Sequence, residues 1–350
     1  MLIKRLKLNN YRNYKTAVFD FDPNLNIIIG KNGVGKTNIL ESLIVVSNTK
    51  SFRTNNDQSL IKEGEDYLKI EVINEDGVYK VVINDKAKSL FLNSDIFKKT
   101  SEYIGKINCI LFKPSDIELY NQSPKERRKL LDIELGKLSN SYLQSLLKYN
   151  SLLKDKNKLL KEENVDKNYL NTINEMMIPE MENIITQRED FFNYINNQIS
   201  NIYSRISNEE KKLSIKYKKC SEKELLNEML NNSFSKDILY RYATEGIHLE
   251  DYEFYLDDKE ISEIASQGQK RLTIISFKLA IVNYVNEKIN NTPIILLDDV
   301  LSELDKENKT RLINYLPNGA QIIVTNTDIS NVEINRRYKL INLEEGGEHV

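Results

Sequence analysis

The sequence predicts an α/β fold with a phosphate-binding core interrupted by a helical lobe, and three features predict it. Residues 30–37 read Gly-Lys-Asn-Gly-Val-Gly-Lys-Thr and fit the pattern G-x-x-x-x-G-K-S/T. Residues 294–299 read Ile-Ile-Leu-Leu-Asp-Asp, the continuous apolar run of a buried parallel strand closing on two carboxylates. Between them, residues 123–210 carry apolar side chains at helical spacing.

Taken in order, Leu2, Ile3, Leu6 and Leu8 predict a strand ahead of the loop. Asn26, Ile27, Ile28 and Ile29 form a short, largely apolar strand leading into the loop, and Ile39, Leu40, Leu43 and Ile44 lead out at helical spacing. In such a loop Gly30, Gly33 and Gly35 let the backbone curl, with Lys31, Asn32 and Val34 between them, so that N–H groups converge on an anion at a helix N-terminus. Lys36 then reaches the β- and γ-phosphates, and the Thr37 hydroxyl is a Mg²⁺ ligand. Residues 68–92 alternate as antiparallel strands, with Asn74-Glu-Asp-Gly77 as a turn. Ser123-Pro-Lys-Glu126 predicts a helix start with a capping box and proline at N1. The helical run from there breaks at 163–166 and at Pro179, too short and interrupted for a long coiled coil.

Strand character returns at 252–261, with Asp257-Asp258 as a hairpin tip. Ser266-Gln-Gly-Gln269 then opens an amphipathic helix, a second anion-binding N-terminus or an ordinary serine cap. At the end of the acidic strand, where open α/β sheets bind ligands, Asp298 orients Mg²⁺ and Asp299 polarises the attacking water. The predicted division is residues 1–115 and 236–350 for the two halves of the core and 116–235 for the lobe.

Composition sets the bounds. The chain has 350 residues, 29% charged, with net charge −2, so any basic surface is local. Cys109 and Cys220 have no metal-ligand spacing and read as reduced thiols. With only His248 and His349, a multi-histidine metal site is ruled out. No run reaches the length of a membrane span and no signal peptide is evident, so a cytoplasmic protein with no membrane partner is expected.

The later motifs resemble those of ABC-type ATPases. Ser266, Gln267, Gly268 and Gln269 are similar to the signature turn that binds the γ-phosphate held by a partner subunit, and Ser302-Glu-Leu-Asp305 is similar to the D-loop. Joined to Asn10-Tyr-Arg-Asn-Tyr14, Ser51-Phe-Arg-Thr54, Phe112-Lys-Pro-Ser-Asp116, Ser123-Pro-Lys-Glu-Arg-Arg128 and Leu297-Asp-Asp-Val-Leu-Ser-Glu-Leu-Asp305, they resemble the RecF family of the SMC/Rad50-like branch, from the first residues to about Asp328.

The resemblance implies an ABC-type P-loop ATPase head with a mixed sheet and an inserted helical lobe. It implies ATP and Mg²⁺ as cofactors and weak hydrolysis used as a switch, with Lys36 and Asp299 catalytic and Thr37 and Asp298 on the metal. Arg12 borders the nucleotide. Ser266, Gly268 and Gln269 reach the partner's ATP, so the chain forms an ATP-dependent homodimer. DNA, both duplex and single–double-strand junctions, is the implied substrate, with RecR and RecO as partners and RecA loading as the indirect outcome. Candidate DNA contacts are Lys125, Arg127, Arg128 and Lys129, with Lys154, Lys156, Lys158 and Lys161 as a second basic cluster. Leu249 stands where the family carries arginine, and Asn326 or Thr327 holds the switch position, where transporter ATPases place histidine. Gln58 is the candidate Q-loop glutamine. The alternatives are a transporter-type ATPase subunit driving a membrane partner and a Rad50-like clamp, which would need a long coiled coil.

Overall fold

A computed structural model of the chain describes residues 2–329 and 333–344. They form two compact units. The first gathers Met1–Ile117, Asn201–Glu210 and the chain from Ser266 onward; the second gathers Glu118–Ser200 and Lys211–Ala265. His349 lies outside the described residues.

The first unit opens with β1 (Arg5–Tyr11), β2 (Tyr14–Asp20), β3 (Leu25–Ile29) and helix α1 (Lys36–Asn48). It continues through β4 (Tyr67–Ile73), β5 (Val78–Asn84), β6 (Lys88–Leu92), β7 (Asp95–Ile96), the single turn α2 (Thr100–Tyr103) and β8 (Cys109–Phe112). The second unit holds α3 (Pro124–Leu138), α4 (Asn140–Leu159), most of α5 (Lys167–Ser207), β9 (Leu213–Lys218), α6 (Leu226–Tyr240), β10 (Asp251–Leu256), β11 (Lys259–Glu260) and α7 (Ile261–Ile264). The chain then returns to the first unit with α8 (Gln267–Ile289), β12 (Ile294–Asp298), α9 (Lys306–Tyr315), β13 (Ile322–Asn326) and β14 (Tyr338–Asn342).

Antiparallel and parallel strands of the first unit sit in separate sheets. Six antiparallel strands run in the order β2-β1-β4-β5-β6-β7, and five parallel strands in the order β14-β3-β13-β12-β8. Helix α1 contacts both sheets. That explains its composition: Ile39, Leu40, Leu43, Ile44, Val45 and Val46 are all buried, so the helix is apolar over most of its circumference. Each such side chain contributes about 1.5–3 kcal/mol on burial. The strand ending in Asp298 and its neighbours β8 and β13 are therefore fixed against one buried helix. Ile294, Ile295, Leu296 and Leu297 are fully buried, as expected for a parallel strand covered on both faces.

The second unit packs α3 on α4 and on β10, with the small antiparallel sheet β11-β10-β9. Arg188 of α5 is almost wholly buried and holds four partners: Asp132 (2.8 Å), the Tyr142 hydroxyl (3.0 Å), the Ile247 carbonyl (3.3 Å) and Glu250.

Several expectations change. The lobe does not end at residue 235: β10 pairs along its length with β9, so residues up to Ala265 belong to the second unit, and Asn201–Glu210 to the first. Strand β9 was not foreseen, although Leu213, Ile215 and Tyr217 alternate. Helix α5 runs unbroken through Pro179, because its buried apolar face outweighs the roughly 3 kcal/mol a proline costs inside a helix. The break at 163–166 is present, between α4 and α5. Ser123 precedes α3 with Pro124 at N1, but its side chain caps nothing, and Glu126 faces Lys129 at 3.6 Å instead of closing a box. The tip at Asp257-Asp258 is as expected: both have positive φ (50° and 63°), which a two-residue hairpin turn with matching twist requires.

Candidate nucleotide site

The parallel register assembles the site. Asn326 pairs with Ile29, and Asp298 pairs with Thr325, so the C-terminal ends of β3, β13 and β12 lie side by side. The loop after β3 turns at Gly33 (φ 86°) and Gly35 (φ 115°), both left-handed. Gly35 is doubly constrained, because a Cβ there would stand 2.5 Å from the Tyr14 hydroxyl. It is also the N-cap of α1 and offers no side chain to the helix's first N–H groups, which leaves those donors for an anion.

Lys36 folds back over the loop. Its Nζ donates to the carbonyls of Gly30 (2.5 Å) and Lys31 (2.9 Å). Burial lowers the Lys36 pKa from its ordinary value, and the carboxylates of Asp299 and Asp298 oppose that shift. The Thr37 hydroxyl donates to Asp298 Oδ1 at 2.9 Å, and the Thr325 hydroxyl donates to the same oxygen at 2.9 Å. Burial raises the Asp298 pKa, the two threonine bonds pull it down, Asp299 adds to the rise and Arg53 counters it. Asp299 has φ 53°, in the left-handed region that aspartate tolerates better than most residues, and its Oδ1 is buried with no hydrogen-bond partner among the described residues. Beside the phosphate loop, that oxygen is free to accept from a ligand or water.

These donors fit a small hard cation. Thr37, Asp298 and Asp299 offer oxygen only, and Mg²⁺ is usually held by one or two carboxylates together with substrate phosphates. Among the described residues no cluster of three or more acidic, histidine or cysteine side chains forms a closed metal cage.

Behind the loop lies a polar brace. Arg12, itself at φ 53°, forms a fork with Glu41 of α1 (2.9 and 2.7 Å) and donates to the Ser59 carbonyl (3.0 Å). Glu41 is fully buried. Burial pushes its carboxyl up, but Arg12, the Ser51 hydroxyl (2.6 Å) and Arg53 outweigh that and hold it below the usual range. At the loop mouth, Arg53 donates to Asn38 (2.9 Å), Asn38 to Asn13 (2.7 Å) and Asn13 to the Val34 carbonyl (3.1 Å).

The serine turn is built differently. Ser266 and Gln269 form a reciprocal capping box at the start of α8, each bond 3.2 Å, and the Gln269 amide also reaches Glu209 (3.2 Å). Ser266, Gln267 and Gly268 are exposed. A Cβ on Gly268 would meet only the Ser266 hydroxyl, at 3.9 Å, so nothing within the chain requires glycine there. After β12, the Ser302 hydroxyl donates to the Asp299 carbonyl (2.7 Å), and Asp305 caps α9 by accepting from Asn308 N (2.8 Å).

Comparison with known proteins gives concordant results. The family model described as the RecF/RecN/SMC N terminal domain matches residues 2–104. The DNA replication and repair protein RecF of Oenococcus oeni is 36% identical over 353 residues, covering 95% of both chains. That of Bacillus subtilis is 33% identical with the same coverage. The chain belongs to the RecF family. A solved structure of a recombination mediator RecF with ATP in the RecFOR pathway superposes with TM-score 0.86 at 31% identity, over 95% of this chain and 93% of that one. The Smc head domain of Pyrococcus furiosus, at 20% identity and TM-score 0.57, shares the fold. The SMC-type ATPase head is thus the architecture of this chain, and a transporter-type subunit is not favoured. No described helix is long and apolar enough to cross a membrane.

Within this family fold, the remaining candidate residues take the following places. Arg12 is committed to Glu41 and Ser59 and braces α1. The hydroxyl beside Asp298 belongs to Thr325, whereas Asn326 is buried, accepting from Thr327 N (2.7 Å), and Thr327 is exposed. Arg127 is forked to Asp251 (2.7 and 2.6 Å) and Arg128 bonds the Glu250 carbonyl, so only Lys125 and Lys129 of that cluster remain exposed. Lys156 is wholly buried against Asp237 (2.7 Å), while Lys154, Lys158 and Lys161 stay exposed. Gln58 is an exposed residue whose amide binds the Asp85 carbonyl (2.9 Å). Leu249 is exposed. The sequence assigns no role to Thr325, Glu41 and Asn38, nor to Asn13 and Arg53 within the quoted motifs Asn10–Tyr14 and Ser51–Thr54. Their positions beside the phosphate loop and at the end of the apolar run of β13 are the signal that could have found them.

Proposed function

We propose that the chain is an ATP-dependent DNA-binding protein of replication-linked repair and recombination, acting as a homodimer closed by two ATP molecules. ATP is held in one protomer by the loop N–H groups, Lys36 and the Thr37 hydroxyl, and Arg53 adds positive charge at the mouth. Mg²⁺, when bound, neutralises charge on the β- and γ-phosphates. Thr37 and Asp298, whose carboxylate accepts from Thr37 and Thr325, would hold the metal, and Asp299 Oδ1 would accept a hydrogen bond from the attacking water. The partner's Ser266 and Gly268 complete the site. Because phosphoryl transfer depends on positioning and charge, a half-site hydrolyses slowly, and hydrolysis serves as the release step.

The carrying observation is the convergence of Thr37, Asp298 and Thr325, with Asp299 Oδ1 buried and unpartnered beside them. The open position of Gly268 supports a requirement set by another molecule. The related RecF structure with ATP in the RecFOR pathway supports ATP as ligand and RecO and RecR as partners. Loading of RecA is the downstream event in this reading. A cytoplasmic location accords with that role. DNA contact falls to Lys125, Lys129, Lys154, Lys158 and Lys161, which supply phosphate neutralisation with little sequence readout.

Sedimentation velocity with and without ATP tests the reading. Wild type should shift from monomer to dimer with ATP, and Asp299→Asn should remain dimeric. Ser266→Ala should bind ATP and stay monomeric. Hydrolysis per subunit that is constant on dilution through the dimerisation range would contradict a shared site.

A further inference from the structure

The end of α6 carries an exposed surface that none of the ATPase machinery uses. Leu239, Tyr240 and Tyr242 are 74%, 57% and 54% exposed. The rings of Tyr240 and Tyr242 lie 6.1 Å apart with 37° between their planes. Between them Arg241 closes the helix at φ 61°, a position where glycine is the usual choice. Its guanidinium is exposed and makes no hydrogen bond or ion pair among the described residues.

The turn beneath is rigid. Asp237, fully buried, accepts from Thr244 N (2.8 Å) and the Thr244 hydroxyl (2.6 Å) and is paired with buried Lys156. Ala243 N donates to Asn157 Oδ1 (2.8 Å). The carboxylate of this turn is thus drawn inward and neutralised. Glu245 lines a separate cavity of about 300 Å³ with Lys236 and Glu228. What remains outward is a run of three exposed residues on a fixed base: the ring pair of Tyr240 and Tyr242, with the unpaired Arg241 between them in sequence.

A flat apolar ring face next to a positive charge is complementary to an unpaired nucleobase and its phosphate. A duplex hides its base faces and offers such a surface phosphate alone. We propose that Tyr240, Arg241 and Tyr242 bind unpaired bases of single-stranded DNA, as in the single-stranded arm of a junction. This rests on the DNA-binding reading above and adds a specific subsite to it.

The test uses the full chain with ATP and two DNAs: a blunt duplex, and the same duplex with a single-stranded tail carrying 2-aminopurine. Wild type should bind both, with the tailed DNA tighter and its fluorescence quenched by stacking. Tyr240→Ala/Tyr242→Ala should lose the quench and weaken binding of the tailed DNA by about 5- to 150-fold, the range for removing one stacked base. Blunt-duplex affinity should stay unchanged. Tyr240→Phe/Tyr242→Phe, which keeps the rings, should behave as wild type. Undiminished quenching and tailed-DNA affinity in the alanine variant would overturn the subsite and leave the face to a protein partner. An equal loss in the phenylalanine variant would overturn stacking. If wild type bound neither DNA, the DNA-binding reading itself would fail.

Discussion

At the scale of single residues, the most exposed dependency is the buried fork between Arg12 and Glu41. Removing Arg12 leaves the buried Glu41 carboxylate with only the Ser51 hydroxyl and the more distant Arg53, so Arg12→Ala should cost up to about 3–5 kcal/mol in urea unfolding. Because the folded-state pKa of Glu41 is depressed, its contribution is present above the unfolded value of about 4.3 and is lost as pH falls through the folded value. His248 gives a second window. Burial lowers its pKa, and its ring nitrogens face the Tyr149 hydroxyl (2.7 Å) and the Ala243 carbonyl (3.3 Å), with Arg128, Lys156 and Asp237 as the charged groups around it. The unfolded chain therefore binds more protons as pH falls below about 6.5, and stability should decline there. His248→Gln should flatten that slope in unfolding measured between pH 7 and 5. The charge-bearing residues of the loop and of β12 were legible because their motifs are local. Thr325 and Glu41 were not, since their roles depend on strands and helices that meet only after folding.

At the scale of elements, the helix ends and interiors separate propensity from packing. Ser123 makes no side-chain cap, so Ser123→Ala should change stability by less than the roughly 1 kcal/mol typical of a cap. Pro179 denies α5 one backbone bond, and Pro179→Ala should raise the free energy of unfolding by up to about 3 kcal/mol, measured by urea denaturation. In α1, Leu43→Ala should cost about 2–5 kcal/mol, since Leu43 is fully buried. β3, α1 and β12 could be read from the sequence because a short apolar run and a 3.6-residue period are local signals. The pairing of β9 with β10 spans more than thirty intervening residues and left no local trace, which is why the second unit extends past the expected boundary.

For the molecule as a whole, the proposed DNA contact is carried by scattered lysines on a chain of net charge −2. Affinity should therefore fall steeply with salt, which fluorescence anisotropy between 50 and 200 mM salt, roughly the range over which phosphate-dominated binding collapses, would measure. Flat binding across that range would remove phosphate contact as the source of affinity. Gly268 carries a different consequence. It meets almost nothing in its own chain, so a collection of variants sorted for heat resistance should accept alanine there without complaint. The same collection sorted for nucleotide-driven pairing should return only glycine. Under the proposed dimer, any need for glycine at 268 would come from the partner's nucleotide, and a survey of isolated-chain stability would not detect it.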